Sequence, residues 1–399
     1  MFPLKIVAAI PLPYAENVGY WSRDLGLVVV ALKTLGHDAT FVALGEESDP
    51  IGDKPLKLVS RKTMADAAWW QALRADGIIL NTWSATRYED ILTAALSAGC
   101  PVIEKMDPDG VRSPRIWFWH YFIETWSGHR DEESAVYRTL AGPLAFARAC
   151  LLLGFPGLLD RRLAACMAKP PVLAVETPIA VERIKRFIRE LGEPVPRVVC
   201  IPHPVDEHYV GLDASVPRQN KLVSVGRWTA HQKNFSLLLK ILGDFLARHP
   251  DWIADVVGGL PDDLQSQTAR IPSATLSRIR FCGKVEREEL AKHYRSAKIF
   301  VMSSRYESFN IAAAEALCCG CSVVGPVEIP SIPFFTGRAS GTPACRYSAR
   351  HLGDALCAET EAWNQGWRNP AQISADWLKI VGSKVIAGQI IDAIESLEA

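Results

Sequence analysis

The chain has 399 residues with 44 basic and 44 acidic side chains, so its formal net charge is zero and bulk electrostatic attraction to nucleic acid is excluded. Its 49% hydrophobic and 22% charged residues are ordinary proportions for a globular protein, and the length suffices for two domains with separate cores. The ten cysteines (positions 100, 150, 166, 200, 282, 318, 319, 321, 345 and 357) lack paired zinc-like spacing. They fit reduced thiols in a cytoplasm better than a disulfide scaffold.

Lys5–Ile10 is too short for a signal-peptide core and reads as a first strand. The loop after it runs through Pro11 to Gly19, a helix is expected over Ser22–Leu35, and Asp38–Leu44 is the second strand. Helix over Met64–Arg74, strand over Asp76–Asn81, helix over Tyr88–Ala98 and strand over Pro101–Asp107 follow. This alternation predicts a parallel sheet with crossover helices. Lys105, Asp107 and Asp109 fall at the carboxyl edge of that last strand, where open α/β sheets collect site residues. An acidic group there can hydrogen-bond a hydroxyl, and it can equally be the polar residue of the turn Pro108-Asp109-Gly110. The stretch 115–126 holds Trp117, Trp119, His120, Tyr121, Phe122 and Trp126. It is either a sugar- or lipid-facing platform, with His120 as a base or hydroxyl contact, or core under a long loop. The longest apolar run, Leu140–Leu159, is interrupted by Pro143, Arg148, Gly154 and Pro156 and does not suit a bilayer span. A cytoplasmic protein, at most peripheral to a membrane, is the expectation. Strands over Pro171–Glu176 and Arg197–Ile201 flank a helix begun by Pro178, and a linker is expected across 203–220.

The second half repeats the rhythm. Lys221–Gly226 reads as a strand, Asn234 as the N-cap of a helix over Phe235–Arg248, and Arg227 and Lys233 bracket the loop between them. Arginine offers a fork to phosphate oxygens and lysine a mobile point charge. Strands over Ile253–Val257 and Ile279–Cys282 end in glycines, and Arg287–Ser296 is helical. Phe300–Pro326 is then strand, loop, helix, turn, strand, with Glu307 in the loop and Glu315 about a turn and a half into the helix. Amides around Phe309–Ile311 can hold a diphosphate, Glu315 can accept from a vicinal diol, and Glu307 can hold hydroxyls beyond the phosphates. Cys318, Cys319 and Cys321 read as small packing residues rather than metal ligands. A helix over Ala349–Ala358 and a final one over Ser374–Leu397 close the chain.

Gly226-Arg227 with Lys233, Glu307-Ser-Phe-Asn-Ile-Ala-Ala-Ala-Glu315 and Gly320-Cys-Ser-Val-Val resemble the C-terminal half of a retaining glycosyltransferase, close to glycosyltransferase family 4. The resemblance implies the GT-B fold: α/β, with two doubly wound Rossmann-like domains facing a cleft. Residues 1–202 would form the acceptor-side domain and 203–373 the donor domain, the last helix (about 374–399) crossing back to the first. Gly19 is the counterpart of the family's glycine loop, and Gly283-Lys284-Val285 passes the nucleotide base. Gly226, Ser308, Phe309, Asn310, Ile311 and Glu315 line the donor, Arg227 and Lys233 hold its phosphates, and Glu307 orients the sugar. The family usually has Gly at position 310, and a catalytic-loop His where this chain reads Lys105-Met-Asp107-Pro-Asp109-Gly.

The implied activity is transfer from a nucleoside diphosphate sugar to a hydroxyl acceptor: a glycan, a lipid-linked sugar or a small molecule. It would need no cofactor or metal, and no nucleic acid. The competing readings are an epimerase or phosphorylase of the same architecture, and a nucleotide-sugar-binding protein without turnover.

Overall fold

The computed structural model describes residues 3–14, 20–22, 24–46, 55–106, 142–144, 146–147, 150, 156–337 and 339–398. Contacts divide it into two units, one containing the chain up to residue 106 with 156–206 and 380–398, the other containing 207–379.

The first unit carries a seven-stranded parallel sheet in the order β3-β2-β1-β4-β5-β6-β7. Its strands are β1 Lys5–Pro13, β2 Asp38–Leu44, β3 Leu56–Val59, β4 Gly77–Leu80, β5 Val102–Met106, β6 Val172–Val175 and β7 Arg197–Cys200. Strands covered by helices on both faces must be apolar nearly throughout, and β4 to β6 are buried at every residue. β3 was not expected from the sequence, and the helix expected over Met64–Arg74 is two, Arg61–Met64 and Ala67–Ala72. Asp66 interrupts it by capping the second, accepting from the Ala68 amide. The final helix is likewise two, Pro370–Val381 and Ser383–Glu398, because Gly382 leaves the helix to bridge Val205. The second of these lays Ile386, Ile390, Ile391 and Ile394 into the core of the first unit beside Ile6, Val28, Ile79 and Ile103. Among the described residues no helix is long and apolar enough to cross a membrane.

In this sheet β1 and β4 are neighbours where the winding reverses, so the loops at their carboxyl ends sit at a switch point. After β4, Trp83 and Ser84 both take left-handed φ, 55° and 46°. Fully buried Glu104 holds the loop by accepting from the Thr82 amide at 2.9 Å, the Thr82 hydroxyl at 2.7 Å and the Ser84 amide at 2.9 Å.

The second unit has a six-stranded parallel sheet in the order β10-β9-β8-β11-β12-β13. The strands are β8 Lys221–Val225, β9 Ile253–Val257, β10 Ile279–Gly283, β11 Ile299–Val301, β12 Ser322–Pro326 and β13 Gly341–Ala344. The reversal lies between β8 and β11, which pair Leu222 with Ile299 and Val223 with Phe300. β8 and β9 converge at their carboxyl ends. A Cβ on Gly258, whose φ is 114°, would lie 2.0 Å from the Gly226 carbonyl oxygen, so only glycine fits.

The helix Ile311–Cys318 follows β11. Asn310 takes φ 71° and accepts from the Ala313 amide through its side chain. It therefore adopts the backbone that a glycine would, a conformation asparagine tolerates better than most residues, and adds a cap. At the other end Gly320 (φ 82°) donates to Leu317 O and Cys321 to Ala316 O, which closes the helix with paired 5→2 and 6→1 bonds. Asn234 departs from expectation. It sits at the start of the helix Phe235–Arg248 but makes no cap bond, being left-handed (φ 50°) with its amide turned to the Tyr347 hydroxyl at 2.6 Å.

Towards the strand starts, Asp255 of β9 is a buried hub. Its carboxylate meets Lys221 of β8 at 3.0 Å, Arg280 of β10 at 2.7 Å and His293 at 2.7 Å. Burial alone would raise the Asp255 carboxyl, but hydrogen bonds from His293 and Arg280 and the neighbouring Lys221 outweigh it and hold the group far below the usual carboxylate range. Asp255, Cys282 and His293 have the donor types of a metal site. A cation there would face Lys221 and Arg280, both already spent on the same carboxylate, so the cluster is an ion-pair hub.

Two outcomes follow. Asp255→Asn leaves Lys221, 3% exposed, without its counter-charge and should cost ~3–5 kcal/mol in urea unfolding at pH 7. Because the folded pKa is depressed, the wild-type advantage is complete above about pH 4 and shrinks as pH falls below that. A difference that does not change with pH would contradict the hub. Asn310→Gly should cost ~1 kcal/mol or less, because glycine keeps the left-handed backbone and forfeits only the cap on the Ala313 amide and the bond from Nδ2 to Met302 Sδ. Asn310→Val should cost ~1–3 kcal/mol in the same assay, and equal losses in the two variants would refute the backbone argument.

Candidate active site

The reversal between β8 and β11 sets their following loops side by side, and the two loops are tied together. Arg305 donates its amide to Gln232 O at 2.8 Å and its Nε to His231 O at 3.2 Å, while Ser303 donates its hydroxyl to Lys233 O at 2.8 Å. Gln232 returns a bond from Nε2 to Tyr306 O at 3.0 Å. Tyr347 braces both loops, accepting from Asn234 and donating to Ser303 O at 2.9 Å.

This framework brings Lys233 and Glu307 together, Nζ to Oε1 at 2.5 Å, with both side chains largely buried. The Glu307 carboxylate also accepts from the Ser304 hydroxyl at 2.6 Å and from Gln232 Nε2 at 3.3 Å. The alkyl stem of Lys233 passes over Gly226, 3.3 Å from where a Cβ would be, so a side chain at 226 would push the lysine aside. Arg227 is exposed and has no side-chain partner among the described residues. Lys284 is also exposed, its stem passing Gly259 just beyond the left-handed Gly283, and Val285 beside it is half-buried.

The Phe309 ring is part of the core. It is 1% exposed and packs on Phe335 with ring centroids 5.1 Å apart, which anchors the start of the helix. Ser308 and Ile311 are half-buried on either side of it. The Asn310 cap takes the Ala313 amide, leaving the Ile311 and Ala312 amides as the first-turn donors. Glu315 is half-buried and accepts from the Tyr294 hydroxyl at 2.9 Å. Burial pushes the Tyr294 phenol well above its usual range, with Glu315 adding to the effect.

The expected residues Gly226, Arg227, Lys233, Glu307, Ser308, Asn310, Ile311 and Glu315 thus lie on two adjoining strand–loop–helix units, with Gly283, Lys284 and Val285 at the end of β10. Gly19, Asp107, Asp109, His120 and the aromatic stretch 115–126 lie outside the described residues. Gln232, Ser304 and Tyr294 were missed. Of these only Ser304 carried a signal, as one of two serines ending an apolar run. Cys318, Cys319 and Cys321 are all buried, and Cys321 donates to Tyr294 O at 3.0 Å, as packing residues do.

Residues 219–333 match the model of the glycosyl transferases group 1. The chain is 34% identical over 111 residues, 26% of its own length and 24% of the relative's, to mannosylfructose-phosphate synthase of Agrobacterium fabrum. It is 30% identical over 196 residues, 47% of its length and 51% of the relative's, to GDP-mannose:cellobiosyl-diphosphopolyprenol alpha-mannosyltransferase of Xanthomonas campestris. The chain thus spans about half or less of the curated relatives it matches. Among solved structures, HepE of Anabaena in complex with UDP superposes with a TM-score of 0.67 at 13% identity, covering 98% of this chain and 100% of that one. The two parallel sheets with their flanking helices have the GT-B fold, and the segment 219–333, which holds Lys233, Glu307 and Glu315, is the part that matches the glycosyl transferases group 1 model.

Proposed function

We propose that this chain transfers a sugar from a nucleoside diphosphate sugar to a hydroxyl-bearing acceptor, a glycan or lipid-linked sugar, with retention of anomeric configuration. The observation that carries the proposal is the meeting of Lys233 and Glu307 at the switch point between β8 and β11, beside exposed Arg227. Open α/β sheets bind ligands at that place, and a cation beside a carboxylate suits the junction of a diphosphate with a sugar. The UDP in HepE and the GDP-mannose named in the Xanthomonas relative support the donor class.

In this reading charge builds on the diphosphate as the glycosidic bond breaks. Arg227, Lys233 and the first-turn amides at Ile311 and Ala312 stabilise it as preorganised donors, so the cations are the protein's own rather than a metal. Glu307 is held in place by Ser304, Gln232 and Lys233, and takes hydroxyls of the sugar. Glu315 takes the ribose. The leaving phosphate accepts the acceptor's proton.

The test is a panel of UDP-, GDP-, ADP- and dTDP-sugars, read first by thermal stabilisation and then by release of the nucleoside diphosphate with acceptor present. At least one should raise the melting temperature. Arg227→Ala, at an exposed position, should leave the melting temperature of the unliganded protein unchanged while slowing transfer about a hundredfold, ~3 kcal/mol of barrier. Lys233→Ala should slow it at least as much, and also destabilise the protein by stripping buried Glu307 of its counter-charge. Full activity in Arg227→Ala, or donor turnover that needs no acceptor, would overturn the assignment.

A further inference from the structure

Lys233 and Glu307 are committed to one another within the protein itself. Glu307 Oε1 accepts from Lys233 Nζ at 2.5 Å and from the Ser304 hydroxyl at 2.6 Å. Among the described residues, Oε2 receives only the long bond from Gln232 Nε2 at 3.3 Å. The two side chains are 16% and 7% exposed, so water and salt screen the pair weakly. The loops keep the partners from drawing apart, since Ser303 is bonded to Lys233 O and the Arg305 amide to Gln232 O. Arg227, in contrast, is exposed and has no side-chain partner among the described residues. The two cations are therefore not equivalent. Arg227 presents a bare charge, and Lys233 a charge with its opposite already beside it.

We infer that Glu307 sets the site against its own product, by cancelling the pull of Lys233 on a nucleoside diphosphate that carries no sugar. The inference rests on the proposed function, in which Lys233 meets the diphosphate and Glu307 the sugar. A nucleoside diphosphate brings negative charge and nothing for a carboxylate, so what it gains from Lys233 it loses to Glu307. An intact donor brings the same diphosphate together with hydroxyls that donate to Oε2, the oxygen with acceptor capacity to spare. Only the intact donor satisfies both members of the pair. Specificity of this kind is a difference between two affinities, and a repulsive element against the wrong ligand serves it as well as an attraction to the right one. Once the sugar has left, the remaining diphosphate faces a carboxylate with nothing to accept from it, which favours release.

The experiment measures Kd by titration calorimetry for UDP, GDP and ADP and for UDP-glucose, GDP-mannose and ADP-glucose. The proteins are wild type, Glu307→Gln, and the double variant Lys233→Met with Glu307→Gln. Glu307→Gln should bind the nucleoside diphosphate about tenfold more tightly than wild type does, since Lys233 is then uncompensated. It should bind the intact donor no more tightly, because the weakened hydroxyl contact offsets the repulsion removed. In the double variant the pair is neutral again, and nucleoside diphosphate affinity should return to within about threefold of wild type. A residue that merely held the loops in place would weaken both ligands when substituted. Melting curves report folding, and Glu307→Asp, which draws the carboxylate back by one methylene, replaces the glutamine variant if that does not fold. It should tighten the nucleoside diphosphate in the same direction by a smaller factor. If wild type binds a nucleoside diphosphate and the substitution at 307 leaves that affinity unchanged or weaker, the inference fails and the functional proposal stands. If wild type binds none of the six ligands, the functional proposal fails and this inference with it.

Discussion

A lysine and a glutamate 74 residues apart share one 2.5 Å contact, and the geometry of the second unit is organised around making it. Neither residue could be placed by its own helix or strand. Lys233 ends a short helical turn after β8 and Glu307 lies in a loop after β11, with β9 and β10 intervening in sequence. They meet because the winding runs outward through β9 and β10 and then returns, setting β11 against the free side of β8. The register of that pair aligns the two carboxyl ends, and a cross-brace of Arg305, Gln232, Ser303 and Tyr347 does the rest. An uncompensated charge at either position would be costly where both side chains are this buried. Glu307 is accordingly surrounded by three donors rather than one.

How far this could be read from the chain depends on the range over which each feature is specified. The βα rhythm, the break at Gly320 and the Glu-x7-Glu spacing are local, and periodicity and capping chemistry exposed them. Asn310 was legible in type but not in meaning. Only the observed φ of 71° shows that the position holds the left-handed backbone a glycine would take. Asn234 shows the opposite failure. Its sequence setting is that of an N-cap, yet its side chain is claimed by Tyr347, 113 residues on, and tertiary demand overrode the local preference. β3 escaped notice because four residues with Lys57 in their midst offer too little apolar pattern. The two helices at the C-terminus looked like one because nothing near Gly382 announces that Val205 will pair with it. Tyr294 was indistinguishable from any other core aromatic until its hydroxyl was seen to point at Glu315.

The two ends of the second sheet treat charge in opposite ways. Towards the strand starts, the side chains of Lys221, Arg280 and His293 all converge on Asp255, and Arg218 spends its guanidinium on Cys319 O and Ala297 O. Each of these cations is absorbed by a group of the protein itself, as a fold requires when it buries charge for stability. At the carboxyl ends Arg227 and Lys284 are exposed and, among the described residues, have no such partner, while the glycines at 226, 258, 259 and 283 keep side chains away from the backbone there. A protein indifferent to anions would gain nothing by concentrating bare cations over a floor without side chains. A few residues upstream the same strands pair Lys221 and Arg280 with Asp255, so the difference between the ends is not one of composition. It follows the direction of the strands, which in a parallel sheet is what separates the end that holds the fold together from the end that meets a ligand.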